Sequence, residues 1–128
     1  MAANTQNIRS AIRMLVPSDG FSITGDIQAE ADYNGNVIFD TPSSKPSWSS
    51  VQPKIIEAQW DVVRATRDSK LLRCDWTQLD DVALTAEKVG EWKVYRTELR
   101  DITTQSDPYN VTWPTPPAYA SCTYNRCW

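Results

Sequence analysis

Residues 53–73 read PKIIEAQWDVVRATRDSKLLR, and within them Ile55, Ala58, Val62, Ala65, Ser69 and Leu72 recur at steps of 3, 4, 3, 4 and 3. That spacing lines one narrow stripe of an α-helix, and Pro53 suits a first helical turn, where its missing N–H costs nothing. The pattern predicts a helix over residues 54–73. Glu57, Asp61, Arg64, Arg67, Asp68 and Lys70 wet the rest of its surface, while Ile56, Trp60 and Val63 add a second apolar edge, as expected for a helix with more than one neighbour. Downstream, Asp75-Trp76-Thr77-Gln78-Leu79-Asp80-Asp81 interrupts the period, and Thr85 followed by Ala86-Glu87 reads as an N-cap with an acidic first turn. A second helix is predicted over residues 86–101, with Val89, Trp92, Tyr95, Leu99 and Ile102 on its apolar face. Gly90 weakens it by about 1 kcal/mol relative to Ala. The short connection makes an antiparallel helical hairpin the simplest arrangement.

Upstream the signals change to period 2. Ile12, Met14 and Val16 alternate before the turn cluster Pro17-Ser18-Asp19-Gly20, and Phe21 to Thr24 alternates after it. Asn34-Gly35, between Asp32-Tyr33 and Val37-Ile38-Phe39, predicts a two-residue hairpin turn. These segments predict a small antiparallel sheet of three or four strands with too little core to stand securely alone. Residues 41–53 hold five Ser and three Pro and read as a linker, in which Trp48 either anchors the chain to a surface or simply packs. After Ile102, Asp107-Pro108, Trp113-Pro114 and Pro116-Pro117 exclude helix and central strand. The aromatics Tyr109, Trp113, Tyr119, Tyr124 and Trp128 of this tail either lie back over the helices or reach another molecule. The expected fold class is α+β: a β-rich region at 1–40, a linker at 41–53, a helical hairpin at 54–102 and an extended tail at 103–128.

The chain has 128 residues, enough for one domain or for a small sheet plus a helical hairpin. Thirteen Lys and Arg against sixteen Asp and Glu give a net charge of −3, which argues against nucleic acid as a partner. There is no histidine, so the usual neutral-pH general base and the commonest transition-metal ligand are missing. Three cysteines, Cys74, Cys122 and Cys127, cannot all pair within one chain, and four ligands for a closed zinc site are not at hand. Neither a signal peptide nor an apolar run of about 20 residues is present, so the expectation is a cytoplasmic chain without a membrane partner. Asp80-Asp81 and Glu87 with Glu91 are the carboxylates available for acid/base work. The first two diverge in most loops and the other two share an exposed helical face, so no catalytic residue is assigned. Asp75, Asp80 and Asp81 lack the Gly and the ligand spacing of a calcium loop; no metal and no cofactor are expected.

The run Arg67-Asp68, Leu71-Leu72, Asp75-Trp76-Thr77-Gln78-Leu79, Asp81, Leu84-Thr85, Trp92, Tyr95-Arg96, Leu99-Arg100-Asp101-Ile102, Val111, Trp113-Pro114 and Pro117 closely resembles the phage tail assembly chaperone family. The chain departs from that pattern at Asp80 and Ala83, where the family usually carries Pro. The resemblance implies a protein that works in the host cytoplasm during assembly, binds the receptor-binding end of a tail fibre and helps it fold or trimerise without catalysis. Three copies per fibre trimer is the natural stoichiometry. The alternative is a permanent structural or adhesive part of the virion tail, in the fibre or baseplate.

For the partner surface, the sheet edge is chosen, with Tyr33, Ile38 and Phe39 as anchors, and Trp48, Tyr119 and Trp128 as further candidates. Asp75 and Trp76 either contact the fibre or cap the turn and plug the open end of the hairpin. Trp92, Tyr95 and Leu99 read as core; Arg96 and Arg100, one turn apart, read as a solvated face or as pairs with neighbouring acids rather than as a grip on acidic groups of a partner; and Trp113-Pro114 reads as a return onto the helices.

Overall fold

The computed structural model describes residues 5–118. Ile8, Ala11, Ile12 and Leu15 stand at i, i+3, i+4 and i+7, and this spacing governs the start of the chain: Thr5–Leu15 is a helix, α1, not the strand expected at Ile12–Val16. The alternation of Ile12, Met14 and Val16 does not describe their burial, because Ile12 is fully buried while Met14 is 38% exposed. The Arg13 guanidinium donates to the carbonyls of Pro17 and Asp19 just past the helix end, and it lies 4.6 Å from the centre of the Phe21 ring.

Strands β1 (Phe21–Ile23) and β2 (Val37–Phe39) pair antiparallel, with Phe21 opposite Phe39, Ser22 opposite Ile38 and Ile23 opposite Val37. They form a two-stranded sheet rather than one of three or four strands. The expected tight turn at Asn34-Gly35 is replaced by a short helix, α2 (Glu30–Asn36). The Asp32 carboxylate accepts the N–H groups of Gln28 and Ala29 at 3.0 and 3.1 Å, which closes the first turn of α2. Gly35 therefore sits in a helix, and the positive φ that an Asn-Gly hairpin turn needs appears at Gly25 (φ 70°) instead. Gly25→Ala should destabilise this part of the chain by about 1–2 kcal/mol, because an L residue is strained there. Gly90→Ala, in a helix with open space around it, should stabilise by up to about 1 kcal/mol. Amide exchange in each unit checks both signs.

The longest helix, α3 (Trp48–Cys74), opens at Trp48, well before residue 54, so the Pro/Ser segment contributes a 3-10 turn at Pro42–Ser44 and then the first turns of α3. Its buried stripe also departs from the expected one. Val51, Ile55 and Ala58 are buried as the 3-4 spacing requires, but Val62 and Leu72 on the same stripe are 49% and 73% exposed. Beyond Asp61 a different face, that of Val63 and Cys74, turns inward. The reason lies in the division of the chain into two compact units, Met1–Asp61 and Val62–Trp128, each of which takes part of α3.

In the first unit the core comprises Ile8, Ala11 and Ile12 of α1, Ile27, Tyr33 of α2, Val37 and Phe39 of β2, and Val51 and Ile55 of α3. Phe21 stacks on Phe39 at 5.2 Å between ring centres. In the second unit, helix α4 (Ala86–Arg100) opens at the expected N-cap, with Thr85 Oγ1 accepting the Lys88 N–H at 3.2 Å. Trp92, Tyr95 and Leu99 bury its apolar face with Cys74, flanked by Leu71, Leu84 and Trp113, and complete the helical hairpin. Asp107 closes the turn that follows. Its carboxylate accepts from the Asn110 side chain and the Tyr109 N–H, which holds it below the usual carboxylate range.

Candidate functional site

The motif run 75–79 begins where α3 ends. The last carbonyls of a helix have no partner of their own, and here two are supplied from outside the helix. Arg96 of α4 donates from its Nη1 to the Leu71 carbonyl at 2.9 Å and to Cys74 Sγ at 3.1 Å. Thr77, fully buried in the 3-10 turn Asp75–Gln78, donates its hydroxyl to the Cys74 carbonyl at 2.6 Å and accepts from Gln78 Nε2 at 3.0 Å. The second arm of the guanidinium reaches Asp75 Oδ1 at 2.8 Å. Burial works against the charge on Arg96, but its hydrogen bonds to Cys74 and Asp75 outweigh that and raise the guanidinium above its ordinary value. A cation thus stands at the C-terminal end of α3, where the helix dipole favours it. Tyr95, packed beside this node, has its hydroxyl pushed up by burial and then by the neighbouring Cys74.

Around that node the motif residues divide by exposure. Trp92 is buried and meets Tyr95 edge to face at 5.6 Å and Trp76 at 6.3 Å. Trp76 covers Trp92 while keeping 38% of its own surface in solvent. Leu79 is 58% exposed, and Leu72 and Val94 are also open. Asp75 forms its ion pair from an exposed position, Arg100 is exposed, and Trp113, with Lys70 Nζ over its ring at 5.3 Å, returns onto the core, while Pro114 beside it is half-buried.

The sheet candidates separate in the same way. Tyr33 and Phe39 are core residues, and the Tyr33 hydroxyl donates to the Pro46 carbonyl at 2.7 Å. Its pKa is raised by burial. Trp48 packs on Tyr33 at 5.4 Å, half-buried at the start of α3. Of the three sheet anchors, Ile38 alone presents a largely exposed side chain. Lys45, which no local pattern marks, closes part of the edge: its ammonium donates to the carbonyls of Val37, Asn34 and Tyr33 at 2.6, 3.2 and 3.1 Å. A lysine over a strand edge discourages pairing with another strand. Arg96 had a local signal only as half of a cationic pair; its true partner carbonyl lies 25 residues earlier, and sequence spacing carries no mark of that.

Tyr119, Cys122, Tyr124, Cys127 and Trp128 lie outside the described residues. Cys74 is free and buried. Among the described residues no group of His, Cys, Asp and Glu side chains is placed to hold a metal ion, and no helix is long and apolar enough to cross a membrane.

A long helix is closed onto a second by a motif loop, and apolar side chains stay open around the closure. Residues 60–118 match the family model of the phage tail assembly chaperone protein, so that segment, somewhat under half of the chain, carries the family's pattern. The match ends close to Pro117, where the motif residues end. No curated protein and no solved structure matches the chain.

Proposed function

We propose that this protein is a non-enzymatic assembly chaperone for a phage tail fibre, binding the fibre near its receptor-binding end in the host cytoplasm and assisting its folding or trimerisation. The family match over residues 60–118 carries the reading. The exposed apolar side chains of each unit support it: Ile38 in the first, Leu72, Leu79 and Val94 in the second. Slow-folding trimers expose apolar surface and strand edges, and a small binder that covers them limits aggregation. Three equivalent sites on a trimeric fibre would take three copies. In the first unit the contact is the open face of the sheet at Ile38, with Tyr33, Phe39 and Trp48 packed beneath or beside it and Lys45 over the edge.

Co-expression with the tail fibre protein of the same phage tests this. Soluble fibre trimer should form with the protein present and fall sharply without it, and Ile38→Asp should reduce the yield while leaving the chain folded. Equal soluble trimer in both cases would overturn the chaperone reading. Full yield with Ile38→Asp would move the contact to another surface, with Tyr119 to Trp128 the next segment to delete.

A further inference from the structure

Helix α4 sorts its charges by side. At 100° per residue, Lys93, Arg96 and Arg100 fall within an arc of about 60°, and Glu87, Glu91 and Glu98 lie on the opposite side of the helix. A helix face that merely solvates itself is stabilised by opposite charges at i, i+3 and i+4, and α4 has such a pair in Lys88 and Glu91, 2.6 Å apart. The cationic stripe does not follow that rule. Lys93 and Arg100 have no ion-pair partner among the described residues, and Arg96 between them is the cation already fixed to Asp75 and to the end of α3.

These side chains also share a concave place. Gln78, Lys93, Arg96, Thr97 and Arg100 line an open hollow of ≈ 440 Å³ on the second unit. Arg96, nine-tenths buried and held in place by three contacts, forms its fixed floor, with Lys93 and Arg100 on the stripe at either side. The Thr97 hydroxyl is turned back to the Lys93 carbonyl at 2.9 Å, which leaves the lining dominated by cations. In a chain of net charge −3 the overall field repels an anionic partner, so attraction to this hollow is local.

We infer that the hollow between Gln78 and the Lys93–Arg100 stripe of α4 is a docking site for an acidic polypeptide segment, whose Asp or Glu carboxylates are held by Lys93 and Arg100. Arginine engages carboxylates through two parallel N–H donors, and a lysine about two turns along the helix adds a second, more adaptable charge. A polypeptide as the source of the carboxylates rests on the chaperone reading; the fibre assay above and the assay below can each fail without the other.

The test uses the full chain, a labelled short peptide of alternating Glu and Ser, the same peptide with Gln for Glu, and a single-stranded oligonucleotide, with binding read by fluorescence anisotropy at low and high salt. The Glu peptide should bind and the Gln peptide should not, with salt weakening the complex. The double variant Lys93→Glu/Arg100→Glu should weaken binding about tenfold or more. The control Lys54→Glu/Lys88→Glu makes the same change in net charge elsewhere and should leave binding within about twofold of the parent. Circular dichroism establishes that each variant is folded, and Arg96 stays untouched because it holds α3 and α4 together. Equal binding of the two peptides, or equal loss in both double variants, would overturn the assignment. So would preferential binding of the oligonucleotide through Lys93 and Arg100, or self-association of the chain that the first variant abolishes, since the acidic side of α4 on a second copy would then be the occupant.

Discussion

Replacing Arg96 with Met should lower the stability of the second unit by about 2–4 kcal/mol. Met keeps much of the apolar stem and removes the donors, so the Leu71 carbonyl and the Cys74 thiol lose the guanidinium that joins them to α4. The Asp75 contact contributes little to this figure. Its carboxylate is 55% exposed and is screened by water, and Asp75→Asn should cost less than about 1 kcal/mol. Arg96→Lys should fall between the two, because one ammonium cannot reproduce the planar set of donors that reaches both the helix end and the acid. Amide exchange across Ala86–Arg100 measures all three variants. Losses of equal size for Arg96→Met and Asp75→Asn would show that the surface ion pair, and not the helix end, is what Arg96 secures.

Trp92→Ala should cost about 3–5 kcal/mol, the expected range for deleting a buried indole. Trp92 is 1% exposed and lies between Trp76 and Tyr95, so its removal opens a cavity at the centre of the small second core and leaves Trp76 without the ring it covers. Two-state analysis of whole-chain melting is not appropriate to a chain of two compact units, so the measurement is again amide exchange within α4, together with the near-ultraviolet circular dichroism of the aromatic cluster. Protection in α1 of the first unit should be affected far less. A loss below about 1 kcal/mol would mean that the closure depends on the polar node alone.

The sequence shows most plainly what is local. Thr85 and Glu87 mark the start of α4 because a cap and an acidic first turn act within a few residues, and the hairpin follows from two helical periods with a broken stretch between them. At the start of the chain a short window misleads for an equally physical reason. Over five residues Ile12, Met14 and Val16 satisfy a strand alternation, and only the longer window that includes Ile8 and Ala11 reveals the helix. Asn34-Gly35 is a sound turn signal in isolation, overruled by the Asp32 cap that starts α2 before it. The stripe Ile55, Ala58, Val62 and Leu72 is continuous in sequence, yet spacing cannot say that a helix is shared between two cores that bury different faces. At the candidate site the motif residues were legible as a group, whereas the Arg96–Leu71 contact and the Lys45 edge cover join residues that no period relates. Lys93 could have been found from its i, i+3, i+7 spacing with Arg96 and Arg100, which becomes informative once the acids of α4 are seen to lie on the other side.

The most direct measurement is native mass spectrometry of this protein mixed with the tail fibre protein proposed as its partner. A discrete complex of one fibre trimer with three copies of the chain is expected. Fibre trimer and free chain recorded side by side, with no complex under conditions where both are folded, would contradict it.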